Sequence, residues 1–131
     1  MHMKLHLTQI KCNVNDESDG DEIYLKYNGH KIWPSGLFKG IKTNEVIQLD
    51  VSLEVPDDEF VSIELWEYDL LSKNDYLGTF DMKMNEIGGP FISSLKLKNT
   101  EYMASYLLTW ETARWSILTT NYQQYEKEKA R

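Results

Sequence analysis

Between Val46 and Val55 the chain reads "VIQLDVSLEV", a strict alternation of apolar and polar residues. Ile47, Leu49, Val51, Leu53 and Val55 share one side, while Gln48, Asp50, Ser52 and Glu54 share the other. A period of two is the signature of a half-buried antiparallel strand; on a helix these apolar residues would be smeared around the axis. After the proline turn "PDDE", the pattern restarts in "FVSIELWEY", with Val61, Ile63 and Leu65 on one face. Upstream, "EIYLKY" and "HKIW" flank Asn28-Gly29, a dipeptide that favours the type I′ turn of a tight hairpin.

Applied along the chain, this pattern predicts strands over 4–12, 22–28, 30–33, 45–55, 60–68, 76–84, 92–98 and 103–112. Pro34, Pro56 and Pro90 all fall between them, where no ladder hydrogen bond is lost. Eight short strands with almost no helical periodicity indicate an all-β fold, an antiparallel sandwich or barrel.

At 131 residues the chain is long enough for one domain with a real core and no disulfide staples. The expected division is a sandwich over 1–112 and a C-terminal extension over 113–131. That extension is expected to pack on the domain or be partly disordered, with Trp115, Ile117 and Leu118 either packing back on the sandwich or docking a partner. A formal charge of −7 and no basic stripe argue against a nucleic-acid partner. Cys12, the single cysteine, lies in an apolar stretch and reads as a small buried hydrophobe.

No apolar run reaches membrane-spanning length, and "MHMKLHLTQIKC" is too interrupted by polar residues for a signal peptide. The expected setting is cytoplasmic or peripheral to a membrane. Phosphate-loop, G-x-S-x-G and H-E-x-x-H motifs are missing, so neither an enzyme nor a small-molecule substrate is expected.

Two acidic loops interrupt this scheme. In "SIELWEYDLLSKNDYLGTF", Glu67 and Asp69 continue the parity of Val61, Ile63 and Leu65. They stand on the side assigned to the core, where charges meant only for solubility would not be placed. Asp75 returns after a five-residue loop. The second acidic segment, "NDESDGDEIYLKY", holds Asp16, Glu17, Asp19, Asp21 and Glu22. An EF-hand loop beginning at Asn15 would put Lys26 at its twelfth position, where a bidentate Glu is required, so that motif is excluded.

"LWEYDLLSKNDYLG" resembles the third-loop signature of the C2 domain, an eight-stranded sandwich whose end loops bind calcium and often phospholipid. In that signature a hydrophobic strand is followed by D-x-D, five residues, then Asp, with Asn before it and Gly three residues after. The matching positions are Glu67, Asp69, Asp75, Asn74 and Gly78. "DESDGDEIYLKY" resembles the first-loop pattern of Asp, five residues and Asp-Pro-Tyr-Val-Lys. The ungapped match gives Asp16 and Glu22, and a one-residue insertion gives Asp21 instead. The resemblance covers roughly residues 4–112. A single strand before the first acidic loop is similar to the circularly permuted variant of the topology. Glu22 and Glu67 depart from the pattern, standing where the family has Asp.

The resemblance implies a calcium site at Asp16, Asp21 or Glu22, Glu67, Asp69 and Asp75, and an all-oxygen donor set suits Ca²⁺ better than zinc. A metal-free, solvated acidic rim is the competing reading. Leu70, Leu71 and Lys73, at the third-loop tip, suit contact with a phospholipid membrane surface, although one leucine could instead plug the sandwich. The other expected partner is a protein, engaged by a calcium-independent adaptor. "KIWPSGLFKG" offers Trp33 and Phe38 either as its anchor or as core residues.

Overall fold

The computed structural model describes residues 2–99, 101 and 103–115. These residues form ten strands: β1 (His2–Val14), β2 (Asp21–Tyr27), β3 (His30–Trp33), β4 (Lys39–Ile41), β5 (Val46–Pro56), β6 (Phe60–Glu67), β7 (Asp75–Lys83), β8 (Gly88–Ser94), β9 (Lys96–Leu97) and β10 (Ser105–Trp115). They pair antiparallel into two sheets, one ordered β5-β1-β10-β8 and the other β3-β2-β6-β7-β9, with β4 also on β2. The eight expected segments are all present in this sandwich. Two refinements appear. β4 is an extra short strand, and the segment expected at 92–98 divides at Leu95, because β8 belongs to the first sheet and β9 to the second. Two prolines expected between strands are instead inside them: Pro56 closes β5 and Pro90 lies in β8. Both strands are edges of the first sheet, where a missing N–H is tolerated. β1 is the single strand before the first acidic loop, and the closing strand β10 lies beside it. The expectation for residues 116–131, including Ile117 and Leu118, lies outside the described residues.

Alternation builds the core. Val61, Ile63 and Leu65 from β6 meet Leu5, Leu7, Ile10 and Leu108 between the sheets, all buried. Fully burying such a side chain is worth about 1.5–3 kcal/mol, so these positions dominate the stability of the sandwich. In β1 the inward parity slips from Leu5 and Leu7 to Ile10 and Cys12. A bulge between Leu7 and Gln9 absorbs the slip, and the Thr8 hydroxyl donates to the Thr109 carbonyl at 3.0 Å beside it. Asn28 and Gly29 both have positive φ, 50° and 80°, as the type I′ hairpin between β2 and β3 requires.

Gly78 has a packing reason to be glycine. A Cβ there would collide with the Lys96 carbonyl, where β9 lies against β7.

Candidate metal-binding end of the sandwich

Three chain segments meet at one end of the sandwich: the first acidic loop 15–20, the β4–β5 connection 42–45 and the third loop 68–74. Around them lies a cleft of about 600 Å³ whose lining includes Glu17, Asp21, Glu22, Glu67, Asp69 and Asp75.

Register decides which acids face inward. Asp21 opens β2 opposite Ile41 and is only 1% exposed. Its neighbour Glu22 takes the opposite parity and is exposed, and its backbone carbonyl, not its carboxylate, accepts the Tyr68 N–H at 2.7 Å. Asp21 acts as a fastener. Oδ2 accepts the Asp16 N–H at 2.8 Å and the Tyr106 hydroxyl at 2.5 Å, and Oδ1 accepts the Glu17 N–H at 3.0 Å. Three donors on one buried carboxylate hold the first loop closed. Asp16 adds a further tie, accepting the Met103 N–H at 3.2 Å.

Glu67 ends β6 between Ile23 of β2 and Asp75 of β7, and is 4% exposed. Its Oε2 is the one buried side-chain polar atom among the described residues with no hydrogen-bond partner. The carboxyl is pushed up to about 9. Burial is the largest cause, followed by a hydrogen bond shared with Glu17 and the negative charges of Asp21, Glu17 and Asp16. At neutral pH a proton therefore sits on Glu67 and offsets part of this repulsion.

The third loop is organised by its own side chains. Asp69 Oδ1 accepts the N–H groups of Leu71 at 2.9 Å and Ser72 at 3.3 Å, and Oδ2 accepts the Ser72 hydroxyl at 2.7 Å. Those donors, Ser72 first, hold the Asp69 carboxyl below its ordinary value. Asn74 closes the loop by accepting the Asp69 N–H at 2.9 Å and donating to the Tyr24 hydroxyl at 2.9 Å. Asp75 opens β7, exposed at the cleft. The loop tip projects outward, with Leu70 80% and Leu71 93% exposed and Lys73 also exposed. Neither leucine plugs the sandwich.

The expected acids thus gather at one end but in unequal roles. Asp21 and Glu67 are buried, Asp16 and Asp69 are half-buried, and Glu22 and Asp75 are exposed. As these side chains stand, no three His, Cys, Asp or Glu residues among the described ones are arranged to hold a metal ion. The donor chemistry nevertheless fits a hard cation: every group is a carboxylate, and one buried oxygen is unused.

Sequence reasoning counted Glu17 among the first-loop acids without giving it a role in the site, and it missed Tyr106. It also missed an aromatic ladder on the outer face of the second sheet. Tyr24 and Trp66 stack at 6.1 Å, Trp66 and Tyr76 lie 5.3 Å apart, and the Lys26 ammonium sits 4.7 Å over the Trp66 ring. The signal was available in the parity of Trp66, which opposes that of Leu65 and Glu67.

The sandwich and its loop-bearing end define a C2-like fold, and comparison with solved structures agrees. The chain is similar to a solved C2 domain at TM-score 0.55 and 12% identity, covering 86% of this chain and 98% of that one. It is similar to a second C2 domain, from a plant extended synaptotagmin 1, at TM-score 0.51 and 12% identity, covering 88% and 95%. No protein-family model matches the chain, and no curated protein matches it in sequence. Among the described residues no helix is long and apolar enough to cross a membrane.

Proposed function

We propose that this C2-like sandwich is a binding module, not an enzyme, that takes up calcium at its acidic end. The residues that would hold the ion are Asp16, Asp21 or Glu22, Glu67, Asp69 and Asp75. Docking to a phospholipid surface or a protein then uses the same end, through Leu70, Leu71 and Lys73. One observation carries the reading: a buried glutamate with an unpartnered oxygen stands among three other carboxylates. Such a group is costly unless a positive charge or a donor reaches it. Calcium would supply that charge and, once bound, could coordinate a phosphate from a lipid headgroup.

The test is a melting curve in chelator and again in millimolar calcium. An ion at a hundred times its Kd adds about 2.7 kcal/mol to the folded state, enough to raise the midpoint by several degrees. An unchanged midpoint up to several millimolar removes the calcium reading. Vesicle sedimentation of a variant with Leu70→Ser and Leu71→Ser then separates lipid from protein docking, with reduced binding expected for lipid.

A second reading has its own support. Asp21 and Asp69 already spend their oxygens on internal donors, and Glu67 is held protonated. In a calcium-independent adaptor the proton would do the cation's work.

A further inference from the structure

We propose that β5 is a self-pairing edge: two copies of this chain join their first sheets antiparallel along β5, with the two-fold axis at Val51. Among the described residues β5 pairs with β1 alone, so its other side presents a row of unpaired backbone N–H and C=O groups. The remaining sheet edges are blunted. β3, β4 and β9 have four, three and two residues, and seven-residue β8 contains Pro90. β5 runs for eleven residues with no lysine, and with no proline before its last position, Pro56. A long edge strand without such guards is a template for another strand.

Burial marks the same edge. Ile47, Leu49, Val51, Leu53 and Val55 share the inward parity, yet Ile47, Val51 and Leu53 are only half-buried. Their counterparts on the central strand β1, Leu5, Leu7 and Ile10, are fully buried. A further strand laid along β5 would cover what water now reaches.

Self-complementarity selects a second copy as the occupant. In a two-fold interface residue i meets j while j meets i, and Val51 is the midpoint of Val46–Pro56. Full overlap about Val51 keeps every side chain on its own face. On the inner face Val51 meets the partner's Val51, Leu49 the partner's Leu53 and Ile47 the partner's Val55. On the outer face Asp50 meets the partner's Ser52, and Glu54 meets the partner's Gln48. Val46, 45% exposed, meets the partner's Pro56. No acid directly opposes an acid. Moving the axis to Asp50 would set that residue against the partner's Asp50, and moving it to Ser52 would set Asp50 against the partner's Glu54. Asp50 and Glu54 also have cross-strand neighbours on β1, His6 at 2.8 Å and His2 at 3.1 Å, so neither acid calls for a cation from the partner.

The experiment is sedimentation equilibrium of the full chain from micromolar to millimolar concentration. It compares the parent with Gln48→Glu and Gln48→Lys, which put a like or an opposite charge against the partner's Glu54. Gln48 is exposed, so both variants should keep the parental melting midpoint. Ser94→Glu and Ser94→Lys repeat the charge changes on β8, at the far edge of the same sheet. The parent should dimerise. Gln48→Glu should weaken the dimer by roughly three- to tenfold, since the contact occurs twice, and Gln48→Lys should tighten it by a similar factor. The Ser94 pair should match the parent.

A cysteine pair reads the register directly. Opposed Cα atoms in an antiparallel ladder lie about 4.5–5.5 Å apart, within disulfide reach. Val51→Cys should therefore give a covalent dimer on mild oxidation and Ser94→Cys should not, with Cys12 buried in both. A parent that stays monomeric up to millimolar concentration overturns the proposal. So does a dimer indifferent to the sign of the charge at position 48, or one that Ser94→Cys locks and Val51→Cys does not.

Discussion

The two acidic loops solve the same problem in opposite ways. In the first, a buried carboxylate holds the loop: Asp21 gathers two loop N–H groups and the Tyr106 hydroxyl from β10. In the third, the loop holds its carboxylate: Asp69 takes all its donors from residues two and three positions ahead. One arrangement depends on the assembled sandwich and the other on local turn chemistry. Glu67 stands between them, sharing a hydrogen bond with Glu17 of the first loop while its Oε2 has no partner. The contrast teaches that charge at this end is managed residue by residue, leaving one group unsatisfied.

The largest expected effect is in the first loop. Asp21→Ala strands a buried hydroxyl and two N–H groups, and each buried group left unsatisfied costs about 1–3 kcal/mol. Chemical denaturation should show a loss of several kcal/mol, with Asp21→Asn recovering part of it. A loss under about 1 kcal/mol would mean that water replaces the carboxylate and that Asp21 is no fastener.

Asn74→Ala should rank second. It removes two hydrogen bonds that join the third loop to itself and to Tyr24, at about 0.5–1.5 kcal/mol each. Amide exchange should quicken across 68–74 and stay unchanged across 15–20; quickening in both loops would erase the contrast. Asp69→Ala should cost the least of the three, because its partners are exposed and water can take them over. The melting midpoint in chelator should move only slightly.

The pH dependence sharpens the place of Glu67. Its folded-state value, about 9, lies above the unfolded one near 4.5, so the folded protein holds the extra proton. The associated stability is fully present below about pH 4.5 and is lost as pH rises toward 9. Glu67→Gln in chelator should therefore gain on the parent progressively across that window. Parallel stability–pH curves for the two proteins would show that Glu67 titrates normally.

A smaller effect of the same sign belongs to His6. It is raised chiefly by its hydrogen bond to Glu111 and also by Asp50, at 2.9 and 2.8 Å. His6→Gln should slightly flatten the loss of stability as pH rises through and above 6.5.

Most of the strand positions were legible because alternation is a local property. Val61, Ile63 and Leu65 announce their face, and Asn28-Gly29 announces its turn. The division at Leu95 was not legible, since nothing local states that Ser94 pairs into one sheet and Lys96 into the other. The phase slip at Thr8 was hidden for the same reason: a bulge exists only against a partner strand.

At the acidic end, parity pointed Glu67 inward, where the structure puts it. The first loop left Asp21 and Glu22 as alternatives, and only the pairing of Asp21 with Ile41 shows which one is buried. Tyr106 and Met103 are far away in sequence, so their ties to Asp21 and Asp16 are products of the fold. Phe38, legible only as core or anchor, proves to be a partly exposed ring stacked on Tyr68.

The central claim is that a cation and a proton compete for the carboxyl group of Glu67. Calorimetric titration with calcium at pH 7, repeated in two buffers of different ionisation enthalpy, counts protons released per ion bound. The account predicts about one proton per calcium at pH 7, falling toward zero well above pH 9 and absent in Glu67→Gln. Calcium uptake with no proton released, or no uptake up to several millimolar, would contradict it.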